Sequence, residues 1–218
     1  MGQVYYLLEV ALGTVFDFIA FWTFIFLFFK YIIFKKYTVI EISPAMKFYM
    51  STEIITTFLV FFDLLFYTVF WNPIDVYYNG WANFILGGTQ VLAIAAKPVT
   101  VFFLGVDRVL CITFPFKNLK FQKYIPVFGE IIFIIIIDII VFLKLVMNSI
   151  PEGDETECGS FACRVPITAG NYYTTVRFLN GGANIVMSIS LAILIKIKLH
   201  STNTNHKEGS QSKTKVQR

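Results

Sequence analysis

The sequence is short of charge. Asp, Glu, Lys and Arg make up only 15% of its 218 residues, while 56% are hydrophobic. A soluble domain of this length has roughly a quarter of its residues charged. The shortage excludes a soluble globular fold, because one core of this size cannot bury so much apolar surface. Histidine is scarce as well, and His200 and His206 both lie near the end of the chain. No His-Glu-x-x-His, no phosphate-binding glycine loop and no Gly-x-Ser-x-Gly occurs, so no enzyme, cofactor or metal centre is expected. There is no N-glycosylation sequon and no internal repeat. Residues 1–29 contain no Lys or Arg, which removes the basic start of a secretory signal peptide, and the first apolar segment reads as an uncleaved anchor. The net charge of +4 is spread between apolar runs rather than gathered in a patch, so nucleic acid is not an expected partner.

What the chain has instead is long apolar runs, and lipid is their natural solvent. Five stretches reach the ~20 residues that span about 30 Å of hydrocarbon as a helix. They cover about 11–34, 48–70, 81–112, 125–147 and 172–199. β-barrel strands would be ~10 residues long with strict alternation. The fold class expected is therefore all-α: one multi-pass transmembrane bundle over 1–199, followed at 200–218 by a basic, disordered cytoplasmic tail. Lys35, Lys36 and Lys47 follow the first run, and Lys117, Lys120 and Lys123 follow the third. The loop after the second run has no Lys or Arg, and that after the fourth has Arg164 against four acids. This asymmetry puts the N-terminus outside and the tail inside, in an integral protein of the plasma membrane.

Ionisable residues inside the bilayer cost a few kcal/mol each on insertion scales and mark functional candidates. Lys97 precedes Asp107 by ten residues, or ~15 Å of helix, and Asp63 lies fifteen residues past Phe48, or ~22 Å. From those span ends Lys97 and Asp63 reach similar depths, so a pair between spans two and three is expected. It is either a structural ion pair or the polar floor of a ligand pocket. Asp17, Asp138 and Lys144 lie nearer the outer ends, within snorkelling reach of the interface. Pro98 should kink span three. Asn180, Gly181, Gly182 and Asn184 read as packing positions in span five, with Arg177 a turn above them. Cys158 and Cys163 share an acidic loop and are placed for a disulfide that stiffens it, whereas Cys111 should stay reduced.

The sharpest local pattern is Phe102-Phe103-Leu104-Gly105-Val106-Asp107-Arg108-Val109-Leu110, running on to Pro115. Asp107 and Arg108, with Val109 in place of Tyr, match the Asp-Arg-Tyr motif at the end of span three in rhodopsin-like receptors. With the short loops, the Phe/Ile-rich spans and the cysteine-bearing loop before span five, the chain resembles the nematode serpentine seven-helix chemoreceptors, class BC being the subclass suggested. The resemblance covers spans one to five and implies a receptor-like chain without spans six and seven. It further implies a small-molecule ligand entering from outside between spans two, three and five. Asp107 and Arg108 would couple to a heterotrimeric G protein, with membrane lipid and a full-length receptor as further partners. The cysteine that usually tops span three is absent. The readings from other classes are a small transporter or channel subunit, with Lys97 and Asp63 lining a polar path, and a non-signalling truncated receptor.

Overall fold

A computed structural model describes residues 2–33, 42–71, 78–114, 124–158 and 160–215, with the backbone alone for 2–4, 32–33 and 199–215. Lys35, Lys36, Lys117, Lys120, Lys123 and Pro115 lie outside the described residues.

Apolar sequence makes the helices, and polar residues set where they begin. Helix α1 spans Gly2–Phe28 and runs on through a π turn at Phe29–Ile33. Helix α2 spans Pro44–Val69. Its start lies four residues before the expected one, because Ser43 accepts a bond from the Met46 amide at 3.2 Å and Pro44 takes a first-turn position that needs no N–H. Helix α3, Gly80–Thr113, is capped by Asn79, whose side-chain oxygen accepts from the Ala82 amide at 2.9 Å. Helix α4 covers Ile125–Val141 and is extended by a π turn to Val146 and a 3-10 turn to Ser149. Among the described residues four helices are long and apolar enough to cross a membrane: Tyr5–Tyr31, Pro44–Val69, Gly80–Thr113 and Ile167–Lys198. The 17 residues of α4 rise only ~25 Å, and the extra turns bring that run to membrane thickness.

Helix α5 spans Ile167–Lys215 and so runs through the segment expected to be disordered. Residues 200–215 contain no Pro and a single Gly. Extending an existing helix needs no new nucleus, so polar composition alone does not stop it.

The chain forms an all-α membrane bundle with α3 at its centre: α1 packs on α2, α2 on α3, and both α4 and α5 on α3. Small residues on α3 bring its neighbours close. A Cβ at Gly105 would fall 2.5 Å from Met187 Cγ of α5, and one at Gly87 would sit 2.8 Å from Phe161 Cγ. Asn184 of α5 donates to the Pro98 carbonyl at 2.9 Å, fastening α5 beside the proline in α3. The apolar core joins Ala95 of α3 to Val141, Leu145, Val146, Phe161 and Ala169. Gly181 and Gly182, expected to be packing positions, have no atoms facing them among the described residues.

Candidate ligand-binding site

One end of the bundle is covered by the segment between α4 and α5. Its strand β2, Glu155–Thr156, pairs antiparallel with β1, Tyr78–Asn79, just before α3. The Cys158 and Cys163 sulfurs are bonded at 2.00 Å, closing a short ring in this segment. Hydrogen bonds hold the ring to the helices. Tyr67 of α2 donates to Asn83 Oδ1 at 2.9 Å, and Asn83 Nδ2 donates to the Cys158 carbonyl at 2.9 Å. Arg164 Nη1 donates to the Gly80 carbonyl at 2.8 Å, and the Gly80 amide donates to the Asp154 carbonyl at 2.7 Å. An amide on α3 thus ties the loop down at the top of a span where no cysteine stands. Tyr78 is buried here, which raises its phenol above the ordinary value of 10.0.

Beneath this cover lies a cavity of about 480 Å³, within the range of small-molecule sites. Asp63, Gln90, Phe161, Asn171, Tyr173 and Thr174 line it, from α2, α3, the loop and α5. Asp63 is 4% exposed, and its Oδ1 has no hydrogen-bond partner. A hollow of about 590 Å³ lies on the outer face of α5 between Thr174 and Ile185. Among the described residues its lining comes from that one helix alone, with no second element to enclose a ligand, and the smaller cavity is the better built site.

Lys97 does not reach Asp63. Its ammonium lies 3.1 Å from Glu53 Oε2 of α2. Helices α2 and α3 are antiparallel, so residues at one level have numbers with a constant sum. Tyr67 with Asn83, Thr56 with the Ala93 carbonyl and Glu53 with Lys97 each sum to 149 or 150. On that register Asp63 stands level with Gly87, ten residues or ~15 Å from Lys97. The depths counted from span ends erred because α2 begins at Pro44 and α3 starts and ends on its own caps. Asp17 of α1 lies deeper than expected, within reach of the Lys97 charge. Asp138 has a buried Oδ1 without a partner, and Lys144 is exposed on the π turn after α4.

At the far end of α3 the two motif residues point apart. Asp107 is 3% exposed, whereas Arg108 is exposed, and no ion pair joins them. Facing Asp107 across the α3–α4 contact is Glu130, fully buried, with neither carboxylate oxygen partnered. The two acids stand near enough to feel each other's charge. Cys111, four positions past Asp107, is exposed and lies outside the disulfide. Among the described residues no cluster of His, Cys, Asp and Glu is arranged to hold a metal.

Glu53, Asn83, Gln90 and Glu130 escaped the sequence reading. Each is a polar residue inside or at the edge of an apolar run, which is the signal that marks buried function in membrane helices. Their partners lie tens of residues away along the chain, and the sequence does not reveal those pairings.

A family model for the serpentine-type seven-transmembrane G-protein-coupled chemoreceptors of the Srbc class matches residues 3–218. The chain belongs to the Srbc serpentine chemoreceptors. No curated protein and no solved structure matches it. Membership makes it a chemosensory receptor-like membrane protein, of a family that is not an enzyme family. In this Srbc chain the lined cavity and the Asp107-Arg108 pair occupy opposite ends of α3.

Proposed function

We propose that this Srbc chain binds a small molecule from outside the cell in the cavity beneath the disulfide loop, and signals through the opposite end of α3 to a G protein. The observation that carries the reading is the course of α3. It walls the cavity with Gln90 and Val91 and carries Arg108, exposed, some 27 Å further on by helix rise. A ligand that presses on the upper part of this helix has a rigid lever to the lower end. Pro98 lies between the two, where one backbone donor is missing, and Asn184 of α5 donates to the Pro98 carbonyl at that point. The Lys and Arg distribution supports this orientation, with the disulfide end outside and Arg108 at the cytoplasmic face.

The transport reading required Lys97 and Asp63 to line one polar path. Lys97 is instead paired with Glu53, a different level of the bundle.

The test is a cell assay with an odorant panel applied from outside and a G-protein reporter read inside. Wild type responds to at least one compound, and Arg108→Ala abolishes the response while binding of that compound persists. A chain that answers nothing in the panel, or an Arg108→Ala variant that signals like wild type, defeats the reading.

A further inference from the structure

Resting on that cavity as the ligand site, we propose that its ligand carries a protonated amine, with the Asp63 carboxylate as the counter-ion. Among the described residues Asp63 is the only charged one in the cavity wall, and it is 4% exposed with Oδ1 unpartnered. Among the described residues, Lys97, Arg164 and Arg177 are engaged or face elsewhere. Lys97 is paired with Glu53 at 3.1 Å, Arg164 donates to the Gly80 carbonyl at 2.8 Å, and Arg177 lies 5.7 Å from the Tyr173 ring, in the wall of the hollow outside the cavity. A buried carboxylate oxygen without a partner has lost hydration and gained nothing for it. An ammonium group in the cavity supplies a charge-assisted hydrogen bond that none of the described residues supplies. A neutral ligand leaves the carboxylate uncompensated, and an anion meets like charge.

The rest of the wall suits such a ligand. Phe161 and Tyr173 offer aromatic surface to an apolar tail or to the cation itself, and Gln90, Asn171 and Thr174 offer hydrogen bonds. The covering loop repeats the sign outside the cavity, where Glu152, Asp154, Glu155 and Glu157 outnumber Arg164. A field of that sign raises the local concentration of cations and their rate of entry.

The experiment uses the intact chain in phosphatidylcholine nanodiscs at neutral pH, with three probes of one size: phenethylamine, 2-phenylethanol and phenylacetate. Affinities are read from the shift of the unfolding midpoint with probe concentration. Phenethylamine should bind at least about tenfold more tightly than the alcohol, the difference expected for one charge-assisted bond, and phenylacetate should not bind. Asp63→Asn, which keeps shape, should reduce the amine to the level of the alcohol. If that variant does not fold, the comparison among probes on wild type decides alone. Equal affinity for amine and alcohol, an Asp63→Asn variant that keeps the amine preference, or no binding by any probe overturns the amine assignment. Gly170→Trp separates that failure from failure of the cavity, since the nearest atom facing a Cβ at Gly170 is Val165 Cγ1 at 3.8 Å and the ring would fill the space. Loss of the odorant response in Gly170→Trp keeps the cavity reading without an amine. A retained response removes the cavity itself.

Discussion

The Lys97 ammonium and the Glu53 carboxylate stand 3.1 Å apart between α3 and α2, with Glu53 9% and Lys97 34% exposed at the side chain. The pair fixes the register of the two helices, together with the Tyr67–Asn83 bond about four turns away along α2. Because Lys97 is spent on Glu53, Asp63 faces the cavity without a cation of its own. One structural ion pair thus leaves the cavity wall negative.

Double-mutant cycles read this directly. Lys97→Met together with Glu53→Gln should show a coupling of about 1–2 kcal/mol, less than the loss on breaking a fully buried pair because Lys97 is a third exposed. Lys97→Met with Asp63→Asn should be additive within about 0.5 kcal/mol. Unfolding in detergent or nanodiscs provides the free energies. Strong coupling to Asp63 and none to Glu53 would refute the register.

Asn83→Ala removes the partners of two groups at once, the buried Tyr67 hydroxyl and the part-buried Cys158 carbonyl. Such orphaned groups cost about 1–3 kcal/mol. Tyr67→Phe removes only the donor to Asn83 and should cost less. Hydrogen exchange should accelerate in the loop around Cys158 for Asn83→Ala before it does in the helices. Exchange rising uniformly through α3 instead would mean that Asn83 supports the helix rather than the loop.

The helices were legible because a bilayer demands long apolar runs: each of the five runs coincides with a helix to within a few residues, except that α1 starts at Gly2, α4 continues only as a π and a 3-10 turn, and α5 starts at Ile167 and runs to Lys215. The Asp107-Arg108 motif was legible as a local pattern. The partner of Lys97 was not, because relative depth depends on where caps such as Ser43 and Asn79 start each helix, and an error of a few residues at each end adds up across a pair. Glu130 was passed over inside an Ile-rich run that reads as lipid-facing, although its face turns to α3 and Asp107. Asp63 was singled out for its cost in lipid, but its role as a cavity wall depends on a loop that arrives from about a hundred residues later in the chain.

The Cys158–Cys163 ring restrains the loop in the unfolded chain by about 2 kcal/mol on chain-entropy grounds. Arg164 is the one basic residue between Asn148 and Thr174 and lies beside that ring. Trypsin should therefore cut after Arg164 slowly in the oxidised protein. It should cut several-fold faster in a Cys158→Ser, Cys163→Ser variant, scored by the two fragments on a gel. Equal rates would show that the bonds from Asn83 and Arg164 hold the loop without the disulfide.

Tyr78 links stability to alkaline pH. Burial raises its phenol above 10.0, and its hydroxyl has no partner among the described residues. The unfolded chain ionises this group near pH 10 while the folded chain keeps it protonated. Its contribution is intact below pH 10 and is lost as pH rises above that value. Tyr78→Phe should match or slightly exceed wild type at pH 7 and lose less of its unfolding midpoint between pH 9 and pH 11. An identical alkaline loss in both proteins would assign it to other groups.

Glu130 offers the clearest stabilising change. Its carboxyl group is fully buried, neither oxygen has a partner, and Asp107 adds a like charge across the helix contact. Gln keeps the shape, removes the charge and mimics the protonated acid. Relieving the cost of burying this acid without a partner should add about 1 kcal/mol, or a rise of about 2–4 °C in unfolding midpoint at this chain length. Glu130→Ala removes the same charge but leaves a void beside α3, and the cavity term should offset the gain. A Gln variant that melts as low as the Ala variant would mean that the carboxylate itself is bound. Because Asp107 adjoins Arg108, the Gln variant should also alter reporter activity in the absence of odorant, whereas a purely structural Glu130 would change the melting temperature alone.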